Sequence, residues 1–346
     1  MKKAISILLA LAMSLSLVAC GGSGGSTGGS SAPAASAGAS EAAKPADPIK
    51  LVLGHTNSET DSRHTMVMKF KELVEERTNG AIEIEVYAGG VLGNQAKETE
   101  ALKLRTQDIL VEGYAIGSMY NDLCNDTLPF LYDSYEHFMA CWYDSEVGDM
   151  WLKYGEDAGF TMFAPSFRGF RVTTSMRGFN NADEIAGLKI RVPGGDVWSK
   201  TWQQLGAQPT PMDLSEVITG LQQGTVEAQE NPVLMSYNYG FADVCKYLIR
   251  TNHVCGADIF IMDSARFAEL SEEHQTILKE AAEECAKEIS QFNYDSEAEY
   301  IQKFADKGVT VIEPDMESIR ERFTTFVADN FPENAEVVEA IRNVQY

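Results

Sequence analysis

Apolar and polar positions alternate at Ile49, Leu51 and Leu53, and the run ends at Gly54, which predicts a first strand. The period then lengthens. Met66, Phe70, Leu73, Val74 and Arg77 follow helical spacing, with Gly80 as the stop. Alternation returns at Ile82, Ile84 and Val86, between Glu83 and Glu85. Gly93 to Thr106 suits a second helix and Ile109 to Tyr114 a buried third strand. The order β-α-β-α-β predicts a parallel, doubly wound sheet, in which ligands sit beyond the carboxyl ends of the strands. His55 and Asn57 stand at the first such end, and Glu112 and Tyr114 at the third.

Tyr135 to Tyr154 carries helical spacing before Gly155, and Phe160, Met162 and Ala164 begin another strand. Arg171 then lies between Phe170 and Val172, and Arg191 between Ile190 and Val192. In a strand each arginine points away from its apolar neighbours. Either could be an ordinary surface arginine, but a pre-positioned guanidinium suits a carboxylate, through two parallel charge-assisted hydrogen bonds of roughly 1.5–3 kcal/mol each. Asp213-Leu-Ser-Glu216 reads as a capping box for a helix through Val217, Ile218 and Leu221 that ends at Gly224. Asn231 stands in front of Pro232. Beyond it the pattern predicts a short helix pair over Ser236 to Arg250, a strand over Ile259 to Met262, and one or two long helices from Ser264 to about Asp306. A strand over Val309 to Ile312 and a closing helix over Ile319 to Phe331 follow.

The N-terminal pattern is of another kind. Lys2 and Lys3 precede an apolar run from Ala4 to Ala19, too short for a membrane span, and residues 1–19 read as an export signal. Leu17-Val18-Ala19-Cys20 looks like a bacterial lipobox, with Cys20 as the lipid-anchored first residue of the mature chain. Residues 20–47 are then a flexible Gly/Ser/Ala/Pro tether, with a reach on the order of 30 Å.

The 28 Lys+Arg against 51 Asp+Glu make a surface that repels nucleic acid and anionic headgroups, although a local pocket can still be cationic. Cys124, Cys141, Cys245, Cys255 and Cys285 show no CxxC spacing, and Cys245 with Cys255 is the pair to test for a disulfide. His55, His64, His137, His253 and His274 show no metal-ligand spacing. The GxSxG match at Gly21–Gly25 lies in the tether, without the strand and helix a nucleophile elbow needs. No metal or cofactor is expected.

The stretches GLKIRVP, LGAQPTPMDLSEVITGLQQGTVEAQENP, ERTNGAIEIEVYAGGVLG and TLPFLYDSYEHF resemble the extracytoplasmic solute-binding proteins of tripartite ATP-independent periplasmic (TRAP) transporters, the DctP-like family. The resemblance covers essentially all of residues 48–346. It implies an α/β, two-lobed periplasmic-binding-protein-like fold with doubly wound sheets and a long helix spanning the lobes. Lobe I would be 48–168 with about 257–296, and lobe II 169–256 with about 297–346. It implies a small organic acid as ligand, its carboxylate held by Arg191 of the KxRVP-like motif, with Arg171 and Asn231 beside it.

On the facing lobe, His55, Asn57, Gln95, Glu112 and Tyr114 would meet the rest of the ligand, but there the family has no single pattern to transfer. Ala88 after Tyr87, and Glu227 where an aspartate is frequent, depart from the family without touching the arginines. No arginine stands among the facing positions, which favours a monocarboxylate with hydroxyls, a sugar acid such as a uronate or aldonate, over a C4-dicarboxylate. The resemblance further implies a monomer without catalysis, handing its ligand to an integral membrane permease. A C4-dicarboxylate binder, or a sensor presenting its ligand to a membrane receptor, is the alternative.

Overall fold

The computed structural model describes residues 47–113, 119–120 and 126–346. The expected export signal, the expected tether up to residue 46, Cys20, Tyr114 and Cys124 therefore lie outside the described residues. The first elements follow the hydrophobic pattern: β1 (Ile49–Gly54), α1 (Ser62–Arg77), β2 (Ile82–Tyr87), α2 (Gln95–Leu104) and β3 (Ile109–Glu112). β1 pairs in parallel with both β2 and β3. The Asp61 side chain caps α1 by accepting from Arg63 N, and Asn94 caps α2 by accepting from Lys97 N.

The helix expected over Tyr135–Tyr154 is two, α3 (Tyr135–Tyr143) and α4 (Glu146–Asp157). The break falls where Ser145 Oγ accepts from Val147 N and starts a new helix. Gly155 does not stop α4; a Cβ there would meet the Met162 side chain at 2.8 Å, so the glycine serves close packing.

β4 (Phe160–Ser175) is a single 16-residue strand. There follow β5 (Lys189–Val192), α5 (Asp196–Gln204), β6 (Gln208–Pro211), α6 (Val217–Gln223), β7 (Ala228–Pro232) and α7 (Val233–Asn238). Then come β8 (Tyr247–Ile249), β9 (Cys255–Asp263), α8 (Ser264–Ala268), the 35-residue α9 (Glu272–Asp306) and β10 (Thr310–Ile312). The chain closes with α10 (Met316–Glu321), α11 (Phe326–Asn330) and α12 (Ala335–Asn343).

Two further expectations about the elements change. Tyr247–Ile249 is not helical but joins β4 and β10 as a strand. The closing helix expected over Ile319 to Phe331 is two short ones, interrupted at Thr324-Thr325, residues poor in helix propensity, and a further helix, α12, follows beyond Pro332.

The strands run β2-β1-β3-β9-β4-β7-β5-β6, with β8 beside β4 and β10 beyond it. The outer trios are parallel, but β9 is antiparallel to β3 and to β4, and β4 is antiparallel to β7. The sheet is therefore mixed, because β4 and β9 join its halves through pairings distant in sequence. β4 pairs with β9 from Phe160 to Phe170 and with β7 from Arg171 to Ser175, so one strand serves both halves. α9 does the same. Its Leu278, Ala282 and Ile289 pack with Leu51, Phe70 and Ile109, while Phe304 packs with Val172, Val233 and Leu248. Phe138, Trp142 and Trp151 share one core with Trp198, Trp202 and Ile341, so apolar packing is continuous across the molecule.

Cys245 and Cys255 are both free and buried, in different clusters, which excludes the bridge singled out for testing. Burial pushes the Cys245 thiol up to about 12.

Candidate functional site

A cavity of about 320 Å³ opens between the loops that follow β1, β2 and β3 and the ends of β5 and β7. On β5, Ile190 and Val192 point into the core at 0 % exposure. The side chain between them, Arg191, faces the cavity and is 4 % exposed. Its Nε donates to the Met212 carbonyl at 2.8 Å, which fixes the plane of the guanidinium.

Arg171 and Asn231 line the same wall. Arg171 is not simply a second open fork. Its Nε and Nη2 bind the buried Glu230 carboxylate (Nη2–Oε1 2.8 Å), and Nη2 also donates to Glu230 O and Asn231 Oδ1, each at 2.8 Å. The Arg171 guanidinium lies over the Trp198 ring at 4.7 Å. Burial alone would raise the Glu230 carboxyl, but Arg171 and then His253, 3.2 Å away, hold it down at about 2. Asn231 also donates from Nδ2 to Gln229 Oε1 at 2.6 Å, so its amide is oriented from both ends. The capping box does not form: Asp213 makes no capping bond and instead accepts from Asn94 Nδ2 at 3.3 Å across the cleft mouth.

The opposite wall departs further from expectation. His55 is fully buried outside the cavity lining, its Nε2 3.1 Å from His64 Nδ1; burial and then the Arg63 charge push it down to about 3, so the ring is neutral. Asn57, Gln95 and Glu112 do line the cavity. Glu112 is taken by Arg63, at 2.7 and 2.9 Å, and by Thr56 Oγ1 at 3.0 Å. Among the described residues, Asn57 Nδ2 and Gln95 Nε2 are buried without a partner, as is the Oγ1 of Thr127, a lining residue that sequence reasoning passed over.

Two arginines were missed as well. Arg63, in the first turn of α1, binds Glu112 and, at 2.5 Å, Asp258. Arg168, on β4, binds Asp61 at 2.7 and 3.2 Å and Asp258 at 3.0 Å. Burial would raise Asp61, but Arg168 and then Arg63 hold it at about 2. A signal existed for Arg63: a cation in a first helical turn opposes the helix dipole, which makes sense only with acidic partners nearby. Behind Glu112 lies Glu98, fully buried. Burial lifts it to about 7, and it accepts one hydrogen bond, from Gln107 Nε2 at 3.3 Å.

Among the described residues, three hydrogen bonds join the walls at their rims. Besides Asn94–Asp213, Ser58 N donates to Tyr239 Oη at 3.1 Å and Asn238 Nδ2 to Thr60 O at 3.3 Å. Among the described residues no cluster of His, Cys, Asp or Glu has the makings of a metal site.

Residues 53–334 match the family model described as bacterial extracellular solute-binding protein, family 7 (DctP). The chain is 29% identical over 304 residues to the 2,3-diketo-L-gulonate-binding periplasmic protein YiaO of Escherichia coli, covering 85% of this chain and 92% of that one. A TRAP periplasmic solute-binding protein from Polaromonas sp. JS666, solved with D-erythronate, superposes with a TM-score of 0.81 at 29% identity, over 86% of this chain and 99% of the other. One from Roseobacter denitrificans, solved with L-galactonate, superposes with a TM-score of 0.80 at 28% identity, over 85% and 99%. The two-lobed α/β architecture is common to all of these structures. With a family match that begins inside β1 and runs to the last helices, the chain belongs to the DctP family of extracytoplasmic solute-binding proteins of TRAP transporters.

Proposed function

We propose that the cleft captures a small organic acid, of the sugar-acid type (a uronate or aldonate), for delivery to a TRAP permease driven by an ion gradient. The observation that carries this reading is Arg191, buried in the cleft with its guanidinium plane set by the Met212 carbonyl. Arg191 is the primary carboxylate anchor. Arg171, already balanced by Glu230, and Asn231 shape the pocket around the acid head. Asn57 and Gln95 meet the ligand's remaining hydroxyls. The acids bound by the relatives from Polaromonas and Roseobacter are of this chemical type.

Closure follows from the same geometry: the three rim hydrogen bonds and the ligand's contacts to both walls exist together only when the lobes meet. Residues 48–168 with about 257–296, and 169–256 with about 297–346, are the two lobes in this proposal. Cys20 anchors the monomeric protein to the membrane through its lipid.

A thermal-shift screen of uronates, aldonates, C4-dicarboxylates, sialic acid and 2-oxo acids identifies the ligand. A hit at a thousandfold excess over Kd stabilises the protein by about 4 kcal/mol. Calorimetry of Arg191→Ala with that ligand then shows no binding; wild-type affinity in the variant refutes the clamp.

A further inference from the structure

We propose that the wall facing Arg191 is a charge filter that accepts a hydroxyl-bearing tail and turns away a second carboxylate, so that the protein discriminates aldonates from the matching aldarates. This rests on the carboxylate-clamp reading and adds to it the class of acid selected.

The two arginines of that wall suggest the opposite at first, since a guanidinium invites a second carboxylate. Their partners decide the matter. Arg63 and Arg168 face three carboxylates, Asp61, Glu112 and Asp258, and all five side chains are at least nine-tenths buried. Asp258 bridges both arginines, Glu112 takes two nitrogens of Arg63, and Asp61 takes two of Arg168. Two positive charges against three negative leave one buried negative charge in excess. The N-terminus of α1, which Asp61 caps, offsets only part of it. On the other wall Arg171 is paired with Glu230, one charge against one. The buried excess of negative charge thus lies in the wall facing Arg191.

The polar atoms left over fit hydroxyls. Asn57 Nδ2, Gln95 Nε2 and Thr127 Oγ1 line the cavity without partners among the described residues, and buried donors of this kind are unfavourable until something accepts from them. Amide N–H groups would also serve a carboxylate, so they do not discriminate by themselves; the buried excess charge does. A cation does stand near, Lys97, but it is exposed at the rim, where water and salt screen it. A second carboxylate about 5 Å from the excess charge loses on the order of 100-fold in affinity at the effective dielectric of such sites.

The test uses pairs that differ only in oxidation of the terminal carbon: D-erythronate with meso-tartrate, and L-galactonate with galactarate, titrated calorimetrically into the folded protein at pH 6, where the buried Glu98 and Asp126, both lifted to about 7, keep their protons. In any pair that binds, the monoacid is favoured on the order of 100-fold. Glu112→Gln, which balances the network at two charges of each sign, narrows that ratio at least tenfold. Lys97→Ala leaves the ratio where it was. An aldarate that binds as tightly as its aldonate, with Arg191 still required, overturns the filter and spares the clamp. So does a gap unchanged in a folded Glu112→Gln variant. Failure of all four acids, and of every acid in the wider screen, sinks the clamp itself. Should Glu112→Gln not fold, the wild-type ratios decide alone.

Discussion

Replacing Glu98 by Gln exchanges a titrating carboxyl for an isosteric amide at a site with no access to water. Glu98 accepts from Gln107, lies against the backbone of Gly54 on β1, and feels the charges of Glu112 on β3 and Arg63 on α1. Burial is the largest influence, and Glu112 opposes ionisation further. Gln107 and Arg63 favour it but do not win, and the carboxyl rests at about 7 against an ordinary 4.5. Because the folded value is raised, the folded protein holds a proton that the unfolded chain releases. Stability is therefore lost as pH climbs from about 4.5 to about 7, and above 7 the full penalty of about 3 kcal/mol applies. The amide escapes it, while its own carbonyl still accepts from Gln107.

The expected result is a Glu98→Gln variant close to wild type at pH 5 and about 3 kcal/mol more stable at pH 8. Urea unfolding of both proteins at the two pH values measures it. Asp126, which burial lifts to about 7, titrates in both proteins and cancels in the comparison. A gain that is the same at pH 5 and pH 8, or a loss at pH 8, would falsify the burial argument.

Glu230→Gln leaves Arg171 buried without its counter-charge, which should destabilise the fold by about 3–5 kcal/mol at neutral pH. Since the folded Glu230 value is depressed to about 2, the deficit against wild type should shrink as urea melts are taken from pH 5 towards pH 2; a deficit that stays constant refutes the pairing. Cys141, Cys245 and Cys285, with thiols pushed up to about 12 by burial, and Cys255, pushed higher still, should resist iodoacetamide at pH 8 until the protein is unfolded. Peptide mapping that finds any of the four fully alkylated in the native protein counts against their burial.

The parts of this protein that could be read in its sequence are those whose physics is local. The alternation of Ile49, Leu51 and Leu53, and the helical spacing of Met66, Phe70 and Leu73, predict β1 and α1 because the burial that selects those residues acts within a few positions. Arg191 was legible for the same reason, as a charge held between two core side chains. Arg171 was legible as a position but not as a partner: Glu230 is 59 residues away and meets it only through the register of β4 against β7. The network of Arg63, Arg168, Asp61, Glu112 and Asp258 spans separations of up to 195 residues, and no pattern along the chain encodes it. His55 shows the limit of a directional rule. It stands at the carboxyl end of a strand, where ligands are expected, yet its ring turns to His64. The monocarboxylate preference first rested on the lack of a facing arginine; two are present, and the preference now rests on the carboxylates that outnumber them.

Arg168 and Arg171 both belong to β4, yet Arg168 is bound to Asp61 and Asp258 on one side of the cleft and Arg171 to Glu230 and Asn231 on the other. Only Gly169 and Phe170 stand between them, at a bulge where Gly169 takes φ +99°. Three steps of extended chain reach at most about 10 Å. The roots of the two sides are therefore on a short leash that limits how far they can be drawn apart. In the proposed closure, release is a swing about this leash that parts Asn94 from Asp213 at the lip while the roots of the two sides stay close.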